Sequence, residues 1–208
     1  MTASPSTLAK KTDIAPWSAD PNHKDAGWKF STKVTSSNIA DAGRGRFVLE
    51  PVKEGQVLRQ IKGFWDAHRG PPPQVGMTVK FENREELDAY LDQHESDKVS
   101  RKEMLTYLSN YCFCYEFFPE GTAYVHVGAA VVNHPPPGVN PNVSTRIGKE
   151  GKYECYALTD IQPGDELYAS YRRYHLPGWF KNLMAENGLM DVEDFFHYHL
   201  SGTVSATL

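Results

Sequence analysis

Residues 160–171 read DIQPGDELYASY, and this stretch decides the fold. The pair Pro163-Gly164 predicts a tight turn, and the residues after it predict a strand that ends at Tyr171. Taken alone, a tyrosine at a strand end is typical of a half-buried core residue. Glu166, inside the same segment, is expected to support the fold rather than the chemistry. Two earlier segments change how Tyr171 is interpreted.

The middle segment, VVNHPPPGVNPNV at residues 131–143, places an Asn-His pair where an apolar strand enters a loop. Such a loop presents polar side chains and backbone groups at the end of a strand. A histidine here could bind a metal ion, but no second ligand lies near His134 at a recognisable spacing. A histidine held by hydrogen bonds is therefore favoured over a metal ligand.

The first segment, GRGRF at residues 43–47, contains a G-x-G motif. It lacks the third glycine and the following helix whose N-terminus would hold a pyrophosphate, which argues against a dinucleotide-binding fold. Considered alone, G-x-G predicts only a tight turn between two strands.

In this order, the three segments resemble the SET domain, the fold of the main class of protein lysine methyltransferases. The resemblance covers residues 43–174, and EGQVLRQIKG at 54–63 matches the strand that follows the glycine motif. It implies a fold that is mainly β with α insertions, built from several short sheets. It also implies short closing helices and a C-terminal pseudoknot that makes the Asn-His loop and ELYASY neighbours.

The resemblance implies S-adenosylmethionine as the cofactor. Its contacts would come mainly from the backbone of Ala42, Gly43, Arg44 and Gly45, because glycine allows close approach, and from Asn133 and His134. Tyr171 matches the family's catalytic tyrosine, which would hold the methyl group and orient the lysine amine. Trp179, or next Phe180, is the candidate aromatic cover for the adenine, with ordinary core packing as an equal alternative. The substrate channel is assigned to Ile61 and Tyr111.

Three departures from the family pattern stand out. Ile61 occupies the place where a channel tyrosine is common, and Pro135, Pro136 and Pro137 stiffen the loop after the Asn-His pair. No cysteine follows Cys155, so the zinc-binding cluster often found after the catalytic tyrosine is missing and no metal is expected. Cys112 and Cys114 lie on a predicted strand whose alternation puts both thiols on one face, where buried thiols are favoured.

The chain is divided by pattern into an N-terminal arm over 1–30, a SET-like domain over 31–174 and a helical closing segment over 175–208. Trp17 and Trp28 are expected to anchor the arm. Helices are predicted over 83–96 and 100–111, an insertion at about 83–110, and over 176–189 and 192–200. Strands are predicted over 28–34, 43–52, 56–64, 111–118, 123–132, 152–158 and 166–171, with a loop at 69–76.

Composition limits the classes of function. With 22 Lys and Arg against 26 Asp and Glu, the formal net charge is -4, so no general attraction to nucleic acid or to an anionic membrane is expected. No apolar run approaches the roughly 20 residues of a membrane-spanning helix, and the first residues lack the apolar core of a secretory signal. Three cysteines fit a reducing compartment better than a disulfide framework. A cytoplasmic or nuclear protein is expected.

Three functions stay open. The leading interpretation is S-adenosylmethionine-dependent methyl transfer to a protein lysine, with a histone among the candidate partners. One alternative is a SET-fold enzyme for a small-molecule reaction, in which Tyr171, His134 and Arg172 or Arg173 would serve as acid, base or anion-holding groups. The other is a non-catalytic binding module. An acidic cluster could attract a basic tail, although a solvated helix face is the simpler interpretation; it comprises Glu82, Glu85, Glu86 and Asp88.

Overall fold

The structure, a computed structural model, describes residues 16, 19–23, 26–40, 42–66, 73–96, 98–128, 130–149 and 151–191. Within these residues the strands are β1 (Thr32–Ser36), β2 (Arg44–Val48), β3 (Val57–Gln60), β4 (Gly63–Asp66), β5 (Met77–Phe81), β6 (Ala123–His126), β7 (Val143–Ile147) and β8 (Tyr153–Ala157). The helices are α1 (Arg84–His94), α2 (Arg101–Tyr111) and α3 (Gly178–Glu186), and a 3-10 turn spans Tyr171–Arg173.

The strands form three small sheets: β1 with β2, then β3-β8-β7, then β4-β5-β6. All described pairings are antiparallel except that of β4 with β5, which is parallel. The predicted mainly β fold with α insertions is confirmed. Short strands suit this chain because each one is ended by a turn, such as the one at Gly55, whose φ of 79° a glycine adopts without strain.

Helices α1 and α2 lie between β5 and β6 in the chain, and local capping fixes where they begin. The Asn83 side chain accepts from the Glu86 N–H, and Ser100 forms a reciprocal capping box with Glu103. Both helices bury leucines in one core with β5, β6 and α3. This core supports one side of the molecule, and a second core lies between β2, β3, β7 and β8.

The segment 165–169 joins three parts of the chain that are distant in sequence. The Leu167 N–H donates to the Arg46 carbonyl at 2.8 Å, and the Ala169 N–H donates to the Asn133 carbonyl at 2.9 Å. The Tyr168 carbonyl accepts from the N–H groups of Asn142 and Val143. The Asn-His loop and the ELYASY segment are therefore neighbours.

Several predicted strands differ from those observed. Residues 111–118 do not form a strand, because α2 extends through Tyr111 and only single bridges pair Phe113 with Tyr124 and Tyr115 with Tyr174. Residues 166–171 also make only single bridges, since successive residues pair with different segments. The strand predicted over 28–34 is shifted to 32–36, and those predicted over 43–52 and 123–132 are shorter than predicted. The sequence pattern missed β5 and β7 altogether.

Both ends of the described chain contact the body. The Asn22 side chain accepts from the Val34 N–H at 2.8 Å, and Trp28 is half-buried. Phe180 of α3 is fully buried with α1 and α2. Trp17 and the predicted helix over 192–200 lie outside the described residues. Of the helices in the described part of the chain, none has the length and apolar character needed to cross a membrane.

Candidate functional site

A cavity of about 770 Å³ brings the three sequence segments together. This volume lies in the range of about 300–1,000 Å³ that small-molecule and cofactor sites occupy. Residues from the glycine turn, the Asn-His loop, the end of α2 and the 3-10 turn line it, among them Ala42, Asn133, His134, Tyr111 and Tyr171. The proline run at 135–137 also contributes to the wall.

The glycine turn forms part of the rim. Ala42 and Arg44 line the cavity, and Gly43 between them has a φ of 70° and would leave an added Cβ with no contact within 4 Å. The backbone around Gly43 is therefore unobstructed, but Gly43 itself is not among the lining residues. Gly45 has a different role, because a Cβ there would lie 2.0 Å from Glu166 Oε1. A glycine at 45 is needed so that the Glu166 carboxylate can pack against β2.

Glu166 is 3% exposed and forms a buried junction, where several segments of the rim meet in hydrogen bonds to one carboxylate. Its carboxylate accepts hydrogen bonds from Ser37 Oγ at 2.7 Å, the Asn38 N–H at 2.7 Å and Asn133 Nδ2 at 2.9 Å. Tyr168 also donates to it, at 3.1 Å. Because the Asn133 amide is committed to this network, its side chain holds the loop in place. Glu166 thus stabilises the fold, as the sequence suggested.

Tyr171 lies at the base of the Asn-His loop and is bonded to it at two atoms. Its backbone N–H donates to His134 Nδ1 at 3.1 Å, and its hydroxyl donates to the Val132 carbonyl at 2.8 Å. Burial raises the pKa of the Tyr171 phenol, so it is protonated at neutral pH. A phenol that donates to a carbonyl still has oxygen lone pairs that can accept a hydrogen bond.

An aromatic wall extends from Tyr171. Its ring stacks on Tyr174 with centroids 4.9 Å apart and an interplanar angle of 17°, and Tyr174 meets Tyr115 edge-on at 5.0 Å. Phe113 and Tyr153 continue this wall. Burial raises the pKa of the Tyr115 and Tyr174 phenols, so the wall carries no charge at neutral pH. Such a surface offers a ligand aromatic faces and uncharged hydroxyl groups.

The structure does not bring every predicted site residue to the cavity. Ile61 is not among the lining residues; it is buried against Phe113, Tyr115 and Tyr153, which form the wall. Trp179 does not line the cavity either, because its indole Nε1 donates to the Gly121 carbonyl at 2.7 Å. The candidate cover from the C-terminal side is instead formed by Met190 and Asp191, which do line it.

Arg59 on β3 and Trp28 ahead of β1 also line the cavity, although the sequence analysis assigned neither of them to the site. Arg59 is 2% exposed, although arginine is usually found at the surface. The available signal was the pattern VLRQI, in which alternation puts Arg59 on the same face as Val57 and Ile61. In the structure a register shift between Val57 and Arg59 interrupts this alternation, so only the tertiary fold shows that Arg59 is enclosed.

Only some of the residues that a small-molecule reaction would use lie at the cavity. Arg172 and Arg173 do not line the cavity, and Arg173 pairs with Glu116 at the surface. Within the described ranges no group of three or more His, Cys, Asp or Glu is placed to hold a metal ion. The acidic cluster belongs largely to α1, where Asp88 pairs with Arg84 and Arg101.

The cavity suits S-adenosylmethionine in three respects. The glycine turn reaches the cavity at Ala42 and Arg44, and the aromatic and proline-lined wall suits an adenosyl group. Two buried donors, Arg59 Nη2 and Trp28 Nε1, lack partners among the described residues. Unpaired buried donors are rare in folded proteins and point to a missing acceptor. The residues present therefore fit a cofactor with an adenosyl group and a carboxylate.

His134 provides a pH-dependent prediction. Burial, with the nearby Arg172 charge, lowers the pKa of His134 from 6.5 to about 4. Between these values the unfolded chain binds a proton that the folded chain does not, so stability is lost as pH falls from 6.5 towards 4 and is unaffected above 6.5. We expect His134→Asn, whose Oδ1 can still accept the Tyr171 N–H, to lose less stability over this interval, as measured by urea unfolding. Parallel pH profiles for the two proteins would contradict the assignment.

The chain resembles several solved structures at low sequence identity. No curated protein matches the chain. A chain of Polycomb Repressive Complex 2 from Chaetomium thermophilum, in an autoinhibited conformation bound to S-adenosylmethionine, is 16% identical with a TM-score of 0.45, over 76% of this chain and 17% of that one. The same complex with H3K27me3 and H3K27M is 18% identical, with a TM-score of 0.42, over 68% and 14%.

A Plasmodium falciparum protein, provisionally assigned as a histone methyltransferase, is 19% identical with a TM-score of 0.40, over 69% of this chain and 94% of that one. The 208-residue chain whose structure is described above spans about 17% of the length of the first Polycomb chain. The SET domain family profile matches residues 43–172, which include the glycine turn, the Asn-His pair and Tyr171. Because that match covers more than half of the chain, the protein belongs to the SET domain family.

Proposed function

We propose that this protein transfers a methyl group from S-adenosylmethionine to a lysine side chain of a protein. The observation that carries the proposal is the position of Tyr171. Its hydroxyl is held by the Val132 carbonyl at 2.8 Å and its backbone by His134, inside a cavity that the glycine turn also lines. Membership of the SET family supports a methyltransferase type of activity.

When bound, S-adenosylmethionine supplies a methyl group on a positively charged sulfur. The rim backbone at Ala42 and Gly43 and the loop held by Asn133 would bind the adenosyl and amino-acid parts. A lysine amine must be neutral to attack, and an uncharged aromatic wall disfavours its protonated form. Tyr171 would accept a hydrogen bond from the amine and hold it in line. Much of the rate enhancement would come from this positioning in a site without water.

The substrate class remains part of the proposal. A protein lysine is favoured over a free small molecule because Arg172 and Arg173, which the small-molecule reaction would use, do not line the cavity. A histone is among the candidates. The three cysteines that suggested a reducing compartment are buried and unbridged, so we propose a cytoplasmic or nuclear location.

The first test is calorimetry of the purified protein with S-adenosylmethionine, followed by incubation with lysine-containing proteins and mass spectrometry. We expect saturable binding and methylated lysine in the acceptor protein. The matched variant is Ala42→Phe, whose added ring would fill the rim at an exposed position and is expected to weaken cofactor binding without unfolding the protein. A folded sample that binds no S-adenosylmethionine would overturn the proposal.

A further inference from the structure

Two buried donor groups in the cavity wall have no partner among the described residues. They are Nη2 of Arg59 and Nε1 of Trp28. The Nε of Arg59 donates to the Ala26 carbonyl at 2.9 Å, so the guanidinium is anchored at one side only. Burying a charged donor without a partner is costly. Because both groups can donate but not accept, the group that would complete them is an acceptor.

The two donors belong to one place in the fold. Trp28 and Arg59 face each other in an antiparallel bridge, which is fixed by backbone hydrogen bonds from Lys29 to Leu58 and from Gln60 to Gly27. Arg59 Cζ lies 5.7 Å from the centre of the Trp28 ring. Both side chains also line the same cavity.

No acidic side chain of the described residues compensates the Arg59 charge. The groups whose charges act on it are Tyr153, Cys155, Tyr107 and Tyr115, which burial keeps in their neutral forms at neutral pH. Asp191, an acidic residue in the cavity wall, acts instead on Cys112. The site of Arg59 is therefore electropositive.

Arg46, the other buried arginine of these strands, provides a contrast. Its guanidinium donates to the Ala130 carbonyl at 2.7 Å, Thr32 Oγ1 at 2.8 Å and the Pro21 carbonyl at 2.7 Å. It also stacks on Trp28, with Cζ 4.3 Å from the ring centre, but it does not line the cavity. The chain thus satisfies a buried arginine fully where no ligand can reach it.

We propose that Arg59 and Trp28 form a carboxylate-binding subsite in the cavity wall. Two donors match the two oxygens of a carboxylate, and the arginine supplies the opposite charge. A lysine ammonium cannot fill this place, because it also only donates and carries the same charge sign as Arg59. The carboxylate would belong either to the amino-acid part of S-adenosylmethionine or to a separate small carboxylate.

The test compares the wild type with Arg59→Gln, Trp28→Phe and a charge-matched control, Arg146→Gln, which changes an exposed arginine on β7. Calorimetry measures binding of S-adenosylmethionine and of decarboxylated S-adenosylmethionine. Thermal unfolding is measured in sodium acetate and in sodium chloride of equal ionic strength. Trp28→Phe removes only the indole donor and keeps most of the ring, so it carries the test if Arg59→Gln does not fold.

If the cofactor supplies the carboxylate, the wild type and Arg146→Gln bind S-adenosylmethionine about tenfold or more tightly than the decarboxylated compound, and Arg59→Gln loses this preference. If a separate molecule supplies it, the two compounds bind equally and acetate raises the unfolding temperature of the wild type but not of the Arg59 variant. The subsite is rejected if neither effect depends on Arg59 or Trp28. The acetate measurement gives a result even if no adenosyl compound binds. Failure of the proposed function can therefore be distinguished from failure of the carboxylate subsite.

Discussion

Replacing Tyr171 by phenylalanine is expected to lower the rate of methyl transfer by about 100-fold or more while S-adenosylmethionine binding persists. The hydroxyl is the atom that would hold the amine, so its loss affects the transition state rather than the bound cofactor. The variant should fold, because the one hydrogen bond it loses, to the Val132 carbonyl, contributes only about 1 kcal/mol to stability. Rate and affinity are measured separately, by single-turnover methylation and by calorimetry.

Tyr156→Phe is the matched control for this prediction. Tyr156 lies on β8 under Arg146, with the guanidinium carbon 4.4 Å from its ring centre, and it is not among the residues that line the cavity. We expect its methyl-transfer rate to equal that of the wild type. An unchanged rate in Tyr171→Phe would remove the Tyr171 hydroxyl from the mechanism, whatever the outcome for cofactor binding.

The largest effect on stability is expected for Gly45→Ala. The added Cβ would lie 2.0 Å from Glu166 Oε1, so the carboxylate must move. Movement would break the hydrogen bonds from Ser37, Asn38 and Asn133 that meet on it. We expect a loss of about 3 kcal/mol in the free energy of unfolding, the upper end of the usual cost of overpacking. Urea denaturation followed by circular dichroism measures it.

Gly178→Ala is the control for Gly45→Ala. Gly178 begins α3, and a Cβ at this position meets nothing within 4 Å. Its backbone is not in the left-handed region, so alanine should be tolerated with little change in stability. If Gly45→Ala unfolds at the same urea concentration as Gly178→Ala, the close packing of Glu166 against β2 is wrong.

The sequence could predict the parts of the site that depend on local signals. The glycine turn, the Asn-His pair and the Pro-Gly turn before Tyr171 each lie at strand ends, and their order along the chain identifies the family. The capping residues Asn83 and Ser100 likewise predict where α1 and α2 begin, because a cap acts within a few residues.

Features that depend on long-range packing could not be predicted. Trp179 was a candidate cover for the cavity because of its place after Tyr171, with core packing as an equal alternative. The indole donates to the Gly121 carbonyl, while Phe180, Leu183 and Met184 of the same helix are buried in the core. Strand β5 was missed because its five residues exist as a strand only between β4 and β6. Arg59 was missed because composition rules place arginine at the surface, and only the tertiary fold encloses it.

The Glu166 junction also has a consequence for the order in which the chain folds. Ser37 and Glu166 are 129 residues apart in sequence, yet they share a hydrogen bond at the rim. During synthesis from the N-terminus, the glycine turn is made early. The Glu166 carboxylate that holds it is made only when most of the chain is complete. Contacts of such long separation are slow to form. We therefore expect the rim to be completed late, and incomplete chains that end before residue 166 to lack a completed rim even where their sheets have formed.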